Sequence, residues 1–215
     1  MNYRKFLLGP LQTNSYLVWD DSGNGFMVDP AGDATEVFEF AGAKGIAIGT
    51  ILLTHGHPDH VGGLHSVLER AEARVYISEG DAQMLRFPDQ RTMRRLGYDF
   101  KGFEDYSVLH DGDVLSVGGI TVRVIGTPGH TPGSVCFLAS PGGSEEMGIL
   151  LSGDTLFAGS VGRTDLSGGD SGQLRRSLML LSSLPDHTPV LPGHGPSTTI
   201  GTERRHNPFW PEEWA

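Results

Sequence analysis

Four short apolar runs in this chain each end in small or turn-forming residues, and the turn after each run holds a side chain that can bind a metal. The four pairs of run and turn residue are 51–53 with His55, 122–125 with His130, 149–151 with Asp154, and 190–191 with His194. Apolar, β-branched runs of this length predict strands. Open sheets place ligands at strand ends, so the repeated pattern predicts that four strands deliver side chains to one site.

The turn after the first run is the densest of the four. Residues 54–60 read T-H-G-H-P-D-H, which places three histidines and an aspartate close together. His55 and His57 lie two apart on an extended loop, so both can face one ion, while Asp59 and His60 can face a second. Imidazole suits zinc and iron, and a carboxylate adds charge and a harder oxygen ligand. The sequence therefore predicts metal binding at this turn.

Nine apolar runs predict strands, and amphipathic segments between them predict helices. The predicted strands cover 16–19, 25–28, 51–53, 75–77, 114–117, 121–125, 135–138, 149–151 and 190–191. Asp33 and Glu36 have the spacing of a capping box for one helix, and Gly45 is its predicted stop. Ser171 is the predicted N-cap of a later helix. Because the strand runs come both singly and in hairpin pairs, we expect mixed sheets in an α/β (α+β) fold.

Charge and cysteine content limit the classes of protein to which the chain can belong. A net charge of −10 argues against a nucleic-acid binder. Cys136 is the single cysteine, so a disulfide framework is excluded and a reducing, cytoplasmic setting is favoured. The apolar run 6–8 is too short for a secretory signal, and no apolar stretch approaches the roughly 20 residues of a membrane span. We therefore expect neither a nucleic-acid nor a membrane partner.

The motifs and their order resemble the metallo-β-lactamase superfamily. The resemblance is carried by T-H-G-H-P-D-H, then G-H at 129–130, S-G-D at 152–154 and G-H-G at 193–195. Within the superfamily, L-L-S-G-D-T-L-F-A-G-S-V-G-R-T-D at 150–165 and E-R-R-H-N-P-F at 203–209 are similar to short glyoxalase II-like (hydroxyacylglutathione hydrolase-like) enzymes. The resemblance implies an αββα sandwich, with two mixed sheets flanked by helices. It also implies a single domain over 1–215, without a separate C-terminal helical substrate domain.

The resemblance further implies two divalent metal ions at one edge of the sandwich, with zinc favoured over iron or manganese. The implied ligands are His55, His57 and His130 for the first ion, and Asp59, His60 and His194 for the second, with Asp154 bridging. Asp59 and Asp154 are the implied catalytic carboxylates. Asp29, in the sequence M-V-D-P, resembles the aspartate that orients the site from behind the ligands; a turn aspartate before proline is the alternative.

The activity implied by the resemblance is hydrolysis of a thioester of the S-lactoylglutathione type, in which a metal-bridging hydroxide attacks the carbonyl carbon. A thiol with a pKa of about 8.5 leaves with little help from an acid. Two divalent ions, offset by two aspartates and hydroxide, leave a charge of about +1, which favours a small anionic substrate. Arg163, in G-R-T-D, stands where longer relatives have a carboxylate-binding lysine and is the predicted substrate anchor. An ion pair with Asp165 or Asp170 is the alternative.

Other functions stay open at this stage. A mononuclear iron dioxygenase acting on a thiol persulfide has a similar motif set and would use only His55, His130 and Asp154. A metal-binding module without catalysis, a β-lactamase and an RNA-processing nuclease are further alternatives, and the oligomeric state is not predicted. The segment 86–101 carries a local charge of +3. It is either a solvated face or a rim that attracts an acidic substrate.

Overall fold

The computed structural model describes residues 1–142, 144 and 148–211; the last four residues of the predicted 1–215 domain lie outside this part. The strands are β1 (Asn2–Leu8), β2 (Thr13–Trp19), β3 (Asn24–Val28), β4 (Ala47–Leu52), β5 (Arg74–Ser78), β6 (Tyr106–Leu109), β7 (Val114–Val117), β8 (Ile120–Gly126), β9 (Val135–Pro141), β10 (Ile149–Gly153), β11 (Leu156–Phe157), β12 (Ser160–Val161), β13 (Pro189–Pro192) and β14 (Thr198–Thr199). The helices are α1 (Thr35–Lys44), α2 (Pro58–Val61), α3 (Leu64–Leu68), α4 (Ala82–Arg86), α5 (Gln90–Arg95), α6 (Ser171–Leu181) and α7 (Ile200–His206), with a 3-10 helix at Glu79–Asp81.

The strands form two six-stranded sheets and one small hairpin. The first sheet runs β1-β2-β3-β4-β5-β6 and is antiparallel from β1 to β3 and parallel from β3 to β6. The second runs β14-β13-β10-β9-β8-β7 and is antiparallel except between β10 and β13. Strands β11 and β12 form the hairpin. Both large sheets are therefore mixed, as the strand pattern predicts.

Three apolar layers hold the sheets and helices together. Successive side chains of a strand point to opposite faces, so Val28 faces the second sheet while its neighbour Met27 faces the helices α1 and α3 to α5. In the second sheet Phe137 lies between the sheets, and its neighbour Cys136 packs with α6 and α7. The order of layers is helix, sheet, sheet, helix, which confirms the predicted αββα sandwich.

Several local predictions are wrong. The N-cap of α1 is Ala34, because the Asp33 carboxylate accepts the Thr35 N–H at 2.7 Å and forms a turn before the helix. The cap of α6 is Asp170, which accepts the Gln173 N–H at 2.8 Å and leaves Ser171 as the first helical residue. The sequence does not predict strands β1 and β6, because they are edge strands with few buried side chains.

The predicted stop of α1 is confirmed, since Gly45 ends the helix at φ 67°. Among the described residues, the longest helix is α6 with 11 residues, and none is long and apolar enough to cross a membrane.

Candidate metal centre

The seven predicted metal ligands converge at one edge of the sandwich. Their donor atoms form three overlapping groups in which all atoms lie within 4.8 Å of one another. These groups are His55, His57 and His130; His55, His60 and Asp154; and Asp59, His60 and His194. We call the first of them the first half of the centre and the last of them the second half.

The first half consists of imidazoles that neutral oxygens orient. The Thr54 hydroxyl donates to Asp29 Oδ2 at 2.7 Å, so it accepts from Nδ1 of His55 at 3.0 Å. Nδ1 of His130 donates to the carbonyl oxygen of Arg163 at 2.8 Å. Because both Nδ1 atoms are donors, the Nε2 lone pairs of these two rings are free to bind a metal. His57 Nδ1 lies 2.9 Å from His130 Nε2 and completes the group.

Burial disfavours protonation of His55 and His57. It lowers the pKa of His55 well below its usual value, and charge on the neighbouring histidines lowers it further. The same causes lower the pKa of His57 to about 4. Imidazole binds a metal through a lone pair and must be unprotonated to do so. His55 and His57 can therefore each offer a lone pair to a metal at neutral pH.

The second half is charged. Asp59 Oδ2 lies 3.2 Å from His194 Nε2 and accepts the Thr13 hydroxyl at 3.4 Å. Burial works against the charge of Asp59, but His60 and His194 lower its pKa well below the usual range. Burial also opposes protonation of His60, but Asp154, Asp29 and Asp59 outweigh it and raise the pKa of that ring.

Asp154 lies between the halves. Its Oδ1 is 3.4 Å from His60 Nε2, and its Oδ2 is 3.6 Å from His130 Nε2 and 3.7 Å from His194 Nε2. The position requires glycine at 193, since a Cβ there would come within 2.3 Å of Asp154 Oδ1. The two oxygens thus contact both halves, as expected of a bridging ligand.

Unpaired buried atoms at the centre indicate that these residues fit metal ions. Among the described residues, His55 Nε2, His60 Nε2 and Asp154 Oδ1 are buried without a hydrogen-bond partner. Buried polar atoms are rarely left unpaired in proteins. A donor set of imidazole nitrogens and carboxylate oxygens suits zinc, iron or manganese. Metal ions at these atoms would satisfy all three.

Asp29 contacts two residues of the centre through its carboxylate, and its orienting role stays a prediction. Its carboxylate accepts the Thr54 N–H at 2.8 Å and His60 Nδ1 at 2.9 Å, in addition to the Thr54 hydroxyl. Its φ is 51°, a conformation that residues with a Cβ seldom adopt. Such strain persists where surrounding contacts enforce it, and here the contacts include a candidate ligand.

Arg163 lies beside the centre, but its guanidinium is engaged elsewhere. Its Nε and Nη2 pair with the two carboxylate oxygens of Asp165, each at 2.7 Å, and both side chains are exposed. The alternative predicted for this arginine is therefore present in the structure. Nη1 and one hydrogen of Nη2 stay available for a second carboxylate, so its role as substrate anchor stays a prediction.

In the segment 86–101, two cations are paired locally. Arg86 binds Glu104 at 3.0 Å, and Lys101 binds Asp99 at 2.5 Å. The Tyr98 hydroxyl donates to the carbonyl oxygen of Ala31 at 2.6 Å, which ties the segment to the loop after β3. The Tyr98 ring packs against Gly62, two residues after His60, and the role of the segment toward a substrate stays a prediction.

Sequence reasoning missed residues that support the ligands. The Asn14 amide donates to the carbonyl oxygens of Pro192 at 2.8 Å and Gly195 at 2.9 Å, on either side of His194. Asp81, discussed below, holds the loops of the first half. The available signal for Asn14 was the polar run 13–15 at the start of β2, which is fully buried in the fold. A polar run at a strand end does not by itself reveal its partners.

Comparison with known proteins identifies relatives over nearly the whole chain. The sequence profile of the Metallo-beta-lactamase superfamily matches residues 8–194. The chain is 36% identical to the probable metallo-hydrolase YqgX of Bacillus subtilis, over 97% of each chain. It is 32% identical to the hydroxyacylglutathione hydrolase GloC of Haemophilus influenzae, over 97% of this chain and 98% of that one.

Solved structures agree with the fold. The B3 metallo-beta-lactamase BLEG-1 superposes with a TM-score of 0.88 at 36% identity, over 97% of this chain and 99% of that one. TTHA1623, solved in a di-iron-bound form, gives a TM-score of 0.83 at 38% identity, over 96% of this chain and 99% of that one. ETHE1 from Myxococcus xanthus gives 0.78 at 27% identity, over 99% and 85%.

Proposed function

The chain belongs to the metallo-β-lactamase superfamily of metal-dependent hydrolases, and we propose that it is a dinuclear thioester hydrolase acting on substrates of the S-lactoylglutathione type. The observation that carries this proposal is the convergence of seven donor side chains with Asp154 in contact with both halves of the centre. The relative named hydroxyacylglutathione hydrolase, which aligns over almost all of both chains, supports the substrate class.

Each residue has a part in this proposal. Two divalent ions bound here, with zinc favoured, would lower the pKa of a coordinated water toward ~7 and polarise the substrate carbonyl. His55, His57 and His130 would hold the first ion, and Asp59, His60 and His194 the second. Asp154 fixes the distance between the halves. Asp59 stays ionised because its pKa is held low, so it is available as a ligand and as a hydrogen-bond acceptor for a coordinated water.

The chemistry of the centre favours a thioester over an amide or β-lactam. A thiolate leaves without prior protonation, because the pKa of its thiol is about 8.5. An amine must gain a proton as it leaves. Asp29 is engaged by Thr54 and His60, and the Arg163 guanidinium by Asp165, so a leaving group that needs no acid suits the site.

Turnover under nitrogen tests the proposal. Purified protein should carry about two transition-metal ions per chain. It should release free thiol and lactate from S-lactoylglutathione without consuming oxygen, while a chromogenic β-lactam is cleaved far more slowly. Cleavage of the β-lactam with inert thioesters would overturn the assignment in favour of a lactamase.

A second candidate is a mononuclear iron dioxygenase acting on a thiol persulfide. One observation favours it: His55 shares one group of donor atoms with His130 and another with Asp154, and His130 Nε2 lies 3.6 Å from Asp154 Oδ2. A triad of two imidazoles and a carboxylate is typical of non-haem iron oxygenases. One tightly bound iron, oxygen uptake with glutathione persulfide and inert thioesters would establish this candidate and refute the hydrolase.

A further inference from the structure

Asp81 is a fully buried carboxylate that is not one of the candidate ligands. It ends the 3-10 helix that follows β5. Its Oδ2 accepts the Gly56 N–H at 2.8 Å and the Thr131 hydroxyl at 2.7 Å. Its Oδ1 accepts the Gly133 N–H at 2.7 Å. Among the described residues it forms no ion pair, so these three donors compensate its charge.

The donors lie next to ligands of the first half. Gly56 directly precedes His57, and Thr131 directly follows His130. One loop leaves β4 of the first sheet and the other leaves β8 of the second. Asp81 therefore joins the loops from the two sheets at the point where His57 Nδ1 and His130 Nε2 lie 2.9 Å apart.

The segment 78–81 and the loop at Gly133 are in close contact, with no free space between them. The Ser78 hydroxyl donates to the carbonyl oxygen of Gly133 at 2.6 Å. A Cβ at Gly133 would come within 2.3 Å of the backbone nitrogen of Asp81. Because backbone meets backbone here, the carboxylate cannot move without moving the loop that carries His130.

We propose that Asp81 is a positioning residue that sets the spacing of His57 and His130, and thereby the metal affinity of the first half but not of the second. The inference rests on the proposed two-ion function. A carboxylate is required because two oxygens accept three donors. An amide has one acceptor oxygen, so it would turn its NH₂ toward at least one of those donors.

Metal titration of Asp81→Asn tests this inference. Zinc affinity is measured by competition with a chromophoric chelator, and site occupancy by the visible absorption of the cobalt-loaded protein. We expect the affinity of the first half to fall about 10- to 100-fold, as for other groups that support ligands from behind. Thr131→Val removes one of the donors, so we expect a smaller loss in the same direction that is not additive with Asp81→Asn.

Asp20→Asn is the matched control. Like Asp81, Asp20 accepts several backbone N–H groups and joins a turn of the first sheet to a turn of the second. It lies just before β3, whereas Asp29 lies just after β3. We expect Asp20→Asn to leave both affinities within about twofold, while any loss of melting temperature in the metal-free proteins reports on folding alone. Equal weakening of both ions by Asp81→Asn, or a lower melting temperature with unchanged affinities, would overturn the inference.

Failure of the proposed function gives a different result. A wild-type chain that binds a single ion refutes the two-ion hydrolase whatever Asp81 does. The inference is then decided on the metal-free protein by imidazole nitrogen NMR. Asp81→Asn should shift the ring signals of His57 and His130 and leave those of His60 and His194 in place; shifts at all four, or at none, would refute it.

Discussion

The two halves of the metal centre use the same kinds of donor but are built differently. In the first half, His55 and His130 are almost fully buried and are oriented by a hydroxyl and a backbone carbonyl. In the second half, His60 is oriented by the Asp29 carboxylate, Asp59 supplies a charge, and the His194 side chain is 31% exposed. The first half consists of imidazoles alone, of which His57 is partly exposed, whereas the second half contains a carboxylate, and its Asp59 and His194 are both partly exposed.

The two halves therefore differ in the cost of their burial and in their access to solvent. Burying uncharged imidazoles costs less than burying a carboxylate, so the first half needs less compensation for its burial. The second half has two partly exposed side chains, Asp59 and His194, against His57 alone in the first half, so water and substrate have more access to the second half. Asp154 is the one side chain with oxygens directed to both. Its removal should therefore have the largest effect on the centre.

Asp154→Ala tests this comparison, because it removes the side chain that contacts both halves. We expect both ions to be lost and kcat/KM to fall by about 10³-fold or more, equivalent to about 4 kcal/mol of transition-state stabilisation. Metal analysis of the dialysed protein and thioester turnover measure these effects. Asp99→Ala, at an exposed aspartate, is the control that should keep both ions. Retention of one ion at unchanged affinity would place Asp154 in a single half.

Asp29→Asn should weaken the second half selectively. Asparagine tolerates the positive φ of this position, so the backbone is expected to stay in place. The lost charge should lower the affinity of the second half about 10- to 100-fold, whereas His55 is reached only through the Thr54 hydroxyl and should change less. Chelator competition measures both affinities. Asp29→Ala, which adds backbone strain, should also lower the melting temperature; equal losses in both halves would contradict the selectivity.

Arg163→Ala tests whether the side chain beside the first half binds substrate. We expect KM for S-lactoylglutathione to rise about tenfold, which is 1.4 kcal/mol, with metal content intact because the backbone carbonyl still accepts from His130. Asp165→Asn is the matched control, since it frees the guanidinium and should not raise KM. An equal rise in KM for a thioester that lacks distal carboxylates would assign Arg163 to structure.

The sequence could predict that the seven candidate ligands converge, because their signal is local. His55, His57, Asp59 and His60 follow one strand within a single turn, and the other three ligands each follow a strand of their own. Strand ends that meet at one edge of a sandwich then bring the seven together. The apolar runs predict mixed sheets, and it is the family resemblance that implies the αββα layers; in the structure, successive apolar side chains of the strands divide among three cores.

The supporting residues Asp81 and Asn14 could not be predicted, because their partners are remote in the chain. Asp81 binds loops 25 and 50 residues away, and Asn14 binds carbonyl oxygens 178 and 181 residues away. An aspartate after a strand reads equally well as a solvated turn. The edge strands β1 and β6 could not be predicted for a related reason. Few of their side chains are buried, so their sequences lack the alternation of apolar and polar residues that marks a strand.

The smallest expected effect comes from the N-cap of α6, which lies next to the metal centre. Asp170 caps α6 with its side chain, and its backbone N–H donates to the carbonyl oxygen of Gly129, next to His130, at 2.8 Å. Asp170→Ala removes the cap and keeps the backbone bond, so we expect about 1 kcal/mol less stability in urea unfolding and unchanged metal affinity. Ser171→Ala should change stability by less than about 0.5 kcal/mol, because Ser171 does not cap the helix. A weakened first half in Asp170→Ala would show that its rigidity depends on α6 as well as on the two sheets.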